Sequence, residues 1–407
     1  VSKAARKKSD AENRGFDLAE HLRTETTGGL VLLGATVLAL ILANSPASGL
    51  YQAVRDFTIG PESLHLDLTV GEWAKDGLLA IFFFVVGLEL KRELTIGELS
   101  TPKKALLPAI AAVGGMIAPA VLAFLISRNE PEAGLAWAVP VATDIAFAVG
   151  VLSLAGSWLP TTARVFLLSL AVVDDLGAII VIAVLFTSGL NWIALLVAGA
   201  LCAGYWYLQH KRITTAWLYV PLAVATWVAV HTSSIHATIA GVALGLLTRV
   251  RRDPYEPAAP AARLEHRLQP WSAGLVIPVF AFFAAGVPVG GEALRAIFTD
   301  RISIGIMVGL VVGKFIGIFG SSLLAVKLRL GDRPAGVGWT DLASLALLGG
   351  IGFTVSLLIA ELSLTGDAAE RAKAAVLIAS ALASVLGALV LVVRRRLARA
   401  NSNGTAN

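Results

Sequence analysis

Charge is what this chain has least of. Of its 407 residues only 15% are Asp, Glu, Lys or Arg, 56% are hydrophobic, and the mean hydropathy is +0.76. A soluble domain carries about 25% charged residues, so the composition excludes an ordinary soluble protein and points to a polytopic membrane protein. Cysteine is almost missing as well. Cys202 stands alone in an apolar run, which rules out an intramolecular disulfide, disfavours metal ligation by sulfur, and leaves it as a small core residue. No HExxH motif, Walker A loop or serine and histidine constellation is present, which argues against an intramembrane enzyme. The start also lacks the order of a signal peptide: polar residues 1–27 precede the first apolar run, so the first helix is expected to be retained.

What is abundant is apolar sequence in helix-length pieces. A bilayer core about 30 Å thick needs roughly 20 apolar residues per helix. Twelve stretches are read as spans, at about 28–44, 77–90, 105–127, 135–154, 163–187, 192–207, 217–231, 235–248, 271–286, 302–325, 342–362 and 369–393. The expected organisation is a single transmembrane domain over 28–393, between polar tails at 1–27 and 394–407 that are disordered or loosely attached. With twelve crossings, 25 of the 33 Lys and Arg fall on the side of the termini and seven on the opposite side, leaving Lys314 within a span. Basic residues collect on the cytoplasmic side, so both termini are expected there. The net charge of +5 is accounted for by this asymmetry and needs no nucleic-acid partner.

Two loops carry pattern. In "FTIGPESLHLDLTVGEW", within the outside loop at about 45–75, Leu64, Leu66, Leu68 and Val70 alternate with His65, Asp67 and Thr69. Period-two alternation beside a Gly-Pro turn reads as a small β-hairpin or as an ordinary folded loop. A hairpin alone is barely stable in water, so pairing with a second subunit is an open use for it. The basic, proline-rich stretch 248–271 reads as a linker ending in a helix start.

The fourth span carries "VPVATDIAFAVG", with Pro140 and Asp144, and the eleventh "LLGGIGFTVS", with Gly349, Gly350 and Gly352. Proline removes a backbone donor and glycine weakens helix, so both spans are expected to be broken inside the membrane. Each is the middle member of three consecutive spans, the arrangement that an inverted-repeat transporter would have. Glycine as a mere packing device would explain the eleventh span alone.

An ionisable group at mid-membrane costs about 2.5 to 3.5 kcal/mol. Asp144, Asp174, Asp175 and Lys314 must therefore face one another or a watery cavity. Neighbours on an α-helix point about 100° apart, so Asp174 and Asp175 in "LAVVDDLGAII" cannot serve one point equally. One can bind a cation while the other meets Lys314, the only basic residue deep in a span. Half-helix ends carry about half a charge, and Asp144 can offset the positive ends while Lys314 offsets the negative ones. Thr143 and exposed carbonyls add oxygens suited to a hard cation. The residues alone leave open a secondary antiporter or a sodium-coupled symporter of a small organic solute.

With these motifs, and with "KDGLLAIFFFVVGLELKREL", "HATIAGVALG", "RLEHRLQPW" and "VVGKFIGIFG", the chain resembles the NhaA-type sodium/proton antiporters. The resemblance implies an all-α protein of about twelve spans with two broken, crossing helices, in the inner membrane of a bacterium. It implies exchange of one Na+ or Li+ for two protons, electrogenic and pH-regulated, with no resident cofactor, usually as a homodimer held partly by the outside hairpin. By resemblance Asp175 and Asp174 carry the cation and protons, Thr143 and Asp144 belong to the helix-crossing assembly, and Lys314 pairs with Asp174. Glu89, Lys91, Arg92, Glu93, Glu265 and His266 read by themselves as a solvated charge cap; the resemblance makes them a pH-sensing cytoplasmic funnel. Gln269 stands where the family often has a second histidine. His236 is expected to be a packing or capping histidine or, grouped with the funnel, a modulator of the pH response, and Asp76 a helix cap.

Overall fold

The structure, a computed structural model, describes residues 25–61, 66–187, 189–213 and 215–404. Most of the expected N-terminal tail, together with Leu64 and His65 of the expected hairpin, lies outside the described residues. In hydrocarbon each backbone group must be bonded within its own segment, and the apolar runs accordingly fold as helices. These begin with α1 (Glu25–Ala43), α2 (Ser48–Arg55), α3 (Leu79–Thr95), α4 (Pro102–Ser127), α5 (Ile145–Ala155) and α6 (Thr161–Leu185). They continue with α7 (Trp192–His210), α8 (Ala216–Thr232), α9 (Thr238–Leu247), α10 (Pro260–Trp271), α11 (Ile277–Ala284) and α12 (Gly291–Thr299). The last are α13 (Arg301–Val308), α14 (Lys314–Lys327), α15 (Trp339–Leu348), α16 (Phe353–Ser363) and α17 (Gly366–Gly404).

By length and composition six helical runs among the described residues can cross a bilayer, or eight if two bent pairs each form one span. That is fewer than twelve, because several apolar stretches fold as helices shorter than the roughly 20 residues that cross a bilayer core, among them α8 with 17 residues and α9 with 10. Others are interrupted. π-helical turns at Trp73–Leu78, Ser272–Val276 and Gly309–Gly313 lead into α3, α11 and α14.

In the loop expected to lie outside, β1 (Thr58–Ile59) pairs antiparallel with β2 (Leu68–Thr69), Thr58 opposite Thr69 and Ile59 opposite Leu68. The alternation expected to reach Val70 stops at Thr69, whose side chain accepts from the Glu72 backbone while Glu72 accepts from the Thr69 backbone. This reciprocal cap turns the chain into helix. Thr69, and not Asp76, is therefore the cap ahead of α3; Asp76 lies inside the π-helical turn.

Stretch 248–271, expected as a linker ending in a helix start, passes into α10 at Pro260, and ion pairs fasten the part before it: Arg249 pairs with Asp253 at 2.8 Å and with Glu256 at 2.6 Å, and Arg212 reaches Asp253 at 3.1 Å. The Arg249 hydrogen bond holds the Glu256 carboxyl below the usual carboxylate range, so the contribution of Glu256 is present at neutral pH and is lost only as pH falls into acid. At the other end, α17 does not stop at 393 but runs on to Gly404, and Arg394 meets buried Asp341 at 2.5 Å. An ion pair to the start of α15 holds this part of the expected tail.

Close helix contact decides where Lys314 sits. A Cβ on Gly317 would lie 2.2 Å from the Gly114 carbonyl oxygen, and one on Gly114 would lie 2.5 Å from that of Gly317. Backbone therefore meets backbone between α4 and α14, one turn from Lys314. Gly317→Val must push these helices apart, and overpacking costs about 1–3 kcal/mol or more. A melting temperature lowered by several degrees in detergent is the expected result; an unchanged one would mean that α14 can shift freely.

Candidate functional site

The two stretches expected to be broken meet at one place. The fourth begins as a 3-10 helix, Ala136–Val141, loses regular structure over residues 142–144, and resumes as α5. The eleventh is α15 followed by α16 with a bend of 44° between them. Gly349 and Gly352 keep right-handed helical dihedrals, so left-handed backbone is not what the glycines supply. They permit close approach: a Cβ on Gly350 would stand 2.5 Å from the Leu310 carbonyl oxygen.

Asp144 binds the breaks together. Its Oδ1 accepts from the Phe147 backbone at 2.9 Å, capping α5. Its Oδ2 accepts from the Thr354 backbone at 3.1 Å and from the Thr354 hydroxyl at 2.8 Å, in the first turn of α16. One carboxylate thus faces the positive ends of two half-helices. Its own backbone N–H donates to the Ile351 carbonyl at 2.6 Å.

Lys314 serves the opposite sign. It is fully buried, and its Nζ donates to Asp174 Oδ2 at 2.5 Å and to Thr143 Oγ1 at 2.9 Å. The Thr143 hydroxyl in turn donates to the Gly349 carbonyl at 2.7 Å, at the C-terminal end of α15. The π-helical turn Gly309–Gly313 immediately precedes Lys314. Such a turn inserts an extra residue into the helix and so rotates the side chains beyond it to a new bearing.

Asp174 and Asp175 each keep an Oδ1 without a hydrogen-bond partner among the described residues, but they differ in surroundings. Asp175 is 4% exposed and has no contact like the one Asp174 makes with Lys314. It lines a cavity of about 100 Å³ that Glu89, Thr143, Asp144, Gln269, Ser272 and Thr354 also line. Asp174, on the other face of α6, is absent from that lining. The cavity presents oxygen without sulfur or imidazole, a donor set for a hard cation or for protons. A larger groove of about 990 Å³, walled by Trp73, Phe84, Tyr205 and Trp227, contains none of these acids.

The charged ends divide into two groups. Arg92 pairs with Glu265 at 2.6 Å and lies 3.8 Å from Glu93. His266 beside them is exposed. His236 does not join this group. Its Nε2 lies 3.5 Å from Asp76 Oδ1 and its Nδ1 shares a 2.7 Å hydrogen bond with Thr238 Oγ1. Asp76 precedes α3 while Arg92 is in its last turn, so His236 is a helix length away from the expected funnel. Thr354 escaped the sequence reading. Its available signal was position, a capping-type residue just after a glycine-rich break.

The family model described as "Na+/H+ antiporter 1" matches residues 19–391. A protein named Na(+)/H(+) antiporter NhaA 1 from Saccharopolyspora erythraea is 73% identical over 394 residues, covering 97% of this chain and 95% of that one. Na(+)/H(+) antiporter NhaA 2 of Rhodococcus jostii is 58% identical over 384 residues, covering 93% of each. Na(+)/H(+) antiporter NhaA of Thermobifida fusca is 51% identical over 389 residues, covering 93% of this chain and 94% of the other.

Proposed function

The chain belongs to the Na+/H+ antiporter 1 family, and on that ground we propose that it exchanges Na+ or Li+ for protons by alternating access across a bacterial inner membrane. The single observation that carries this reading is Asp175, a buried carboxylate with an unpartnered oxygen on a cavity, beside a neighbour already tied to Lys314. A carboxylate withdrawn from water and set near a second one is ready to hold a proton. A cation entering the cavity meets Asp175, Asp144 and the Thr354 and Thr143 hydroxyls, and its charge makes the proton dispensable. Asp174 alternates between Lys314 and a second proton. The two acids titrate as a coupled pair.

Occupancy by cation and by protons is mutually exclusive, so a site that faces each side in turn exchanges them without ATP. About two protons, one for each aspartate, against one monovalent cation moves net charge, worth about 2.3 kcal/mol per charge at 100 mV. The exchange is therefore electrogenic. We further propose twelve crossings arranged as inverted repeats, both termini in the cytoplasm, and pH regulation through the charged group of Glu89, Arg92, Glu93, Glu265 and His266. A homodimer joined partly through β1 and β2 completes the reading. The chain acts as a transporter, with cations and protons as its cargo.

Everted membrane vesicles test this. With a preset proton gradient, Na+ or Li+ is expected to dissipate it, increasingly so across several pH values, and K+ is not. A gradient indifferent to Na+ at every pH would refute antiport.

A further inference from the structure

The half-helices that hold the ion site are short. α15 has 10 residues and α16 has 11, with a bend at the Gly349–Gly352 joint between them. Helices of that length are not self-supporting. Yet the Gly349 and Ile351 carbonyls and the Thr354 donors must be held steady, because Thr143 and Asp144 are fixed through them. The unbroken α17 has 39 residues and runs beside both halves, touching them at three levels.

At the outer end Lys373, 4% exposed in its side chain, pairs with Glu361 of α16 at 3.3 Å. Level with the break, the Ser380 Oγ accepts the backbone N–H of Phe353 at 3.2 Å. Phe353 is the first residue of α16, and its N–H would otherwise be an orphan in a buried place. At the inner end Arg394 meets Asp341 of α15 at 2.5 Å and the Thr340 hydroxyl. Asp341 is 1% exposed and also accepts from the Gly338 backbone at 2.7 Å, closing the start of α15.

We propose that α17 is a splint across the broken span, with Ser380 and Arg394 as positioning residues for the cation site. Ser380 caps α16 from a neighbouring helix, one residue before Thr354 grips Asp144. Arg394 fixes the far end of the half-helix whose C-cap carbonyl, that of Gly349, accepts from Thr143. Neither touches the cavity, so each acts on the cation through the half-helix it holds. The assignment rests on the exchange reading above.

The test is the apparent Na+ affinity of exchange in everted vesicles, beside the melting temperature of each purified variant. Ser380→Ala is expected to raise the KM for Na+ about fivefold, the scale of one lost hydrogen bond, with the maximal rate much less affected. Ser380→Thr, which keeps the acceptor, restores it. Arg394→Gln raises the KM similarly, and Arg394→Lys, which keeps a cation facing Asp341 and leaves the Asp341 cap in place, brings it back toward the wild-type value. Should Ser380→Ala or Arg394→Gln fail to accumulate, Ser380→Thr and Arg394→Lys give the reading, because an Na+ KM restored with the fold supports the splint. A wild-type KM in Ser380→Ala and Arg394→Gln, or equal losses in Ser380→Ala and Ser380→Thr, overturns the proposal while the wild-type vesicles still exchange. Wild-type vesicles that do not exchange at all would overturn the exchange reading and this assignment with it.

Discussion

Asp175→Asn is expected to abolish sodium-dependent proton movement in vesicles, a loss of at least about a hundredfold, the scale on which a missing central charge acts. The purified variant should nevertheless melt no lower than the wild type. Both expectations come from the same geometry. Asp175 is buried and has an oxygen without a partner on the cavity, so its charge is a cost to the fold and a necessity for the cargo. Asparagine has nearly the same shape, keeps an acceptor, and removes the desolvated charge. Fluorescence of a pH-sensitive dye reads the exchange, and thermal unfolding in detergent reads the fold. Sustained exchange would remove Asp175 as the carrier.

Lys314→Ala has the opposite balance, with its largest effect on stability. The ammonium is fully buried and satisfies Asp174 and Thr143 together. Removing one partner of a buried pair costs about 3–5 kcal/mol, because the other is left charged and alone. A melting temperature many degrees lower is expected, with a displaced pH profile for whatever exchange survives. The double change Lys314→Ala with Asp174→Asn should recover much of the loss, since it removes the stranded charge. If the double variant is less stable than the single one by the full cost of a second independent mutation, the pair is not coupled.

How much of the site is legible in the sequence depends on the kind of signal. Charges in apolar runs are conspicuous, so Asp144, Asp174, Asp175 and Lys314 stand out, and the angular argument alone separates the two neighbouring acids. The two interruptions are legible as Pro140 and as Gly349, Gly350 and Gly352, although the glycines serve close approach instead of unusual dihedrals. The π-helical turn ahead of Lys314 has no such signature. It forms where Gly309 and Gly313 pack against Pro140 and Pro119, a tertiary fact. Ser380 and Thr354 are equally hidden, since one hydroxyl in an apolar helix looks like any other until its partner is known. For His236 the packing or capping reading stands beside the grouping with the funnel, and only the grouping conflicts with its contacts to Asp76 and Thr238. The alternation of basic loops already puts its end of α9 opposite the Arg92 end of α3, a geometry that residue type alone does not carry. Arg394 reads as tail because a basic run after an apolar span ordinarily lies in water.

The central claim is that sodium and protons compete for the acids around Asp175, and proton counting by calorimetry tests it most directly. Na+ is titrated into the purified protein in two buffers of different ionisation enthalpy, and the difference between the measured heats gives the protons released per ion bound. Competition predicts a clear release, between about one and two protons near the midpoint of a coupled pair, and its disappearance in Asp175→Asn. Sodium binding with no proton released in either buffer would contradict it.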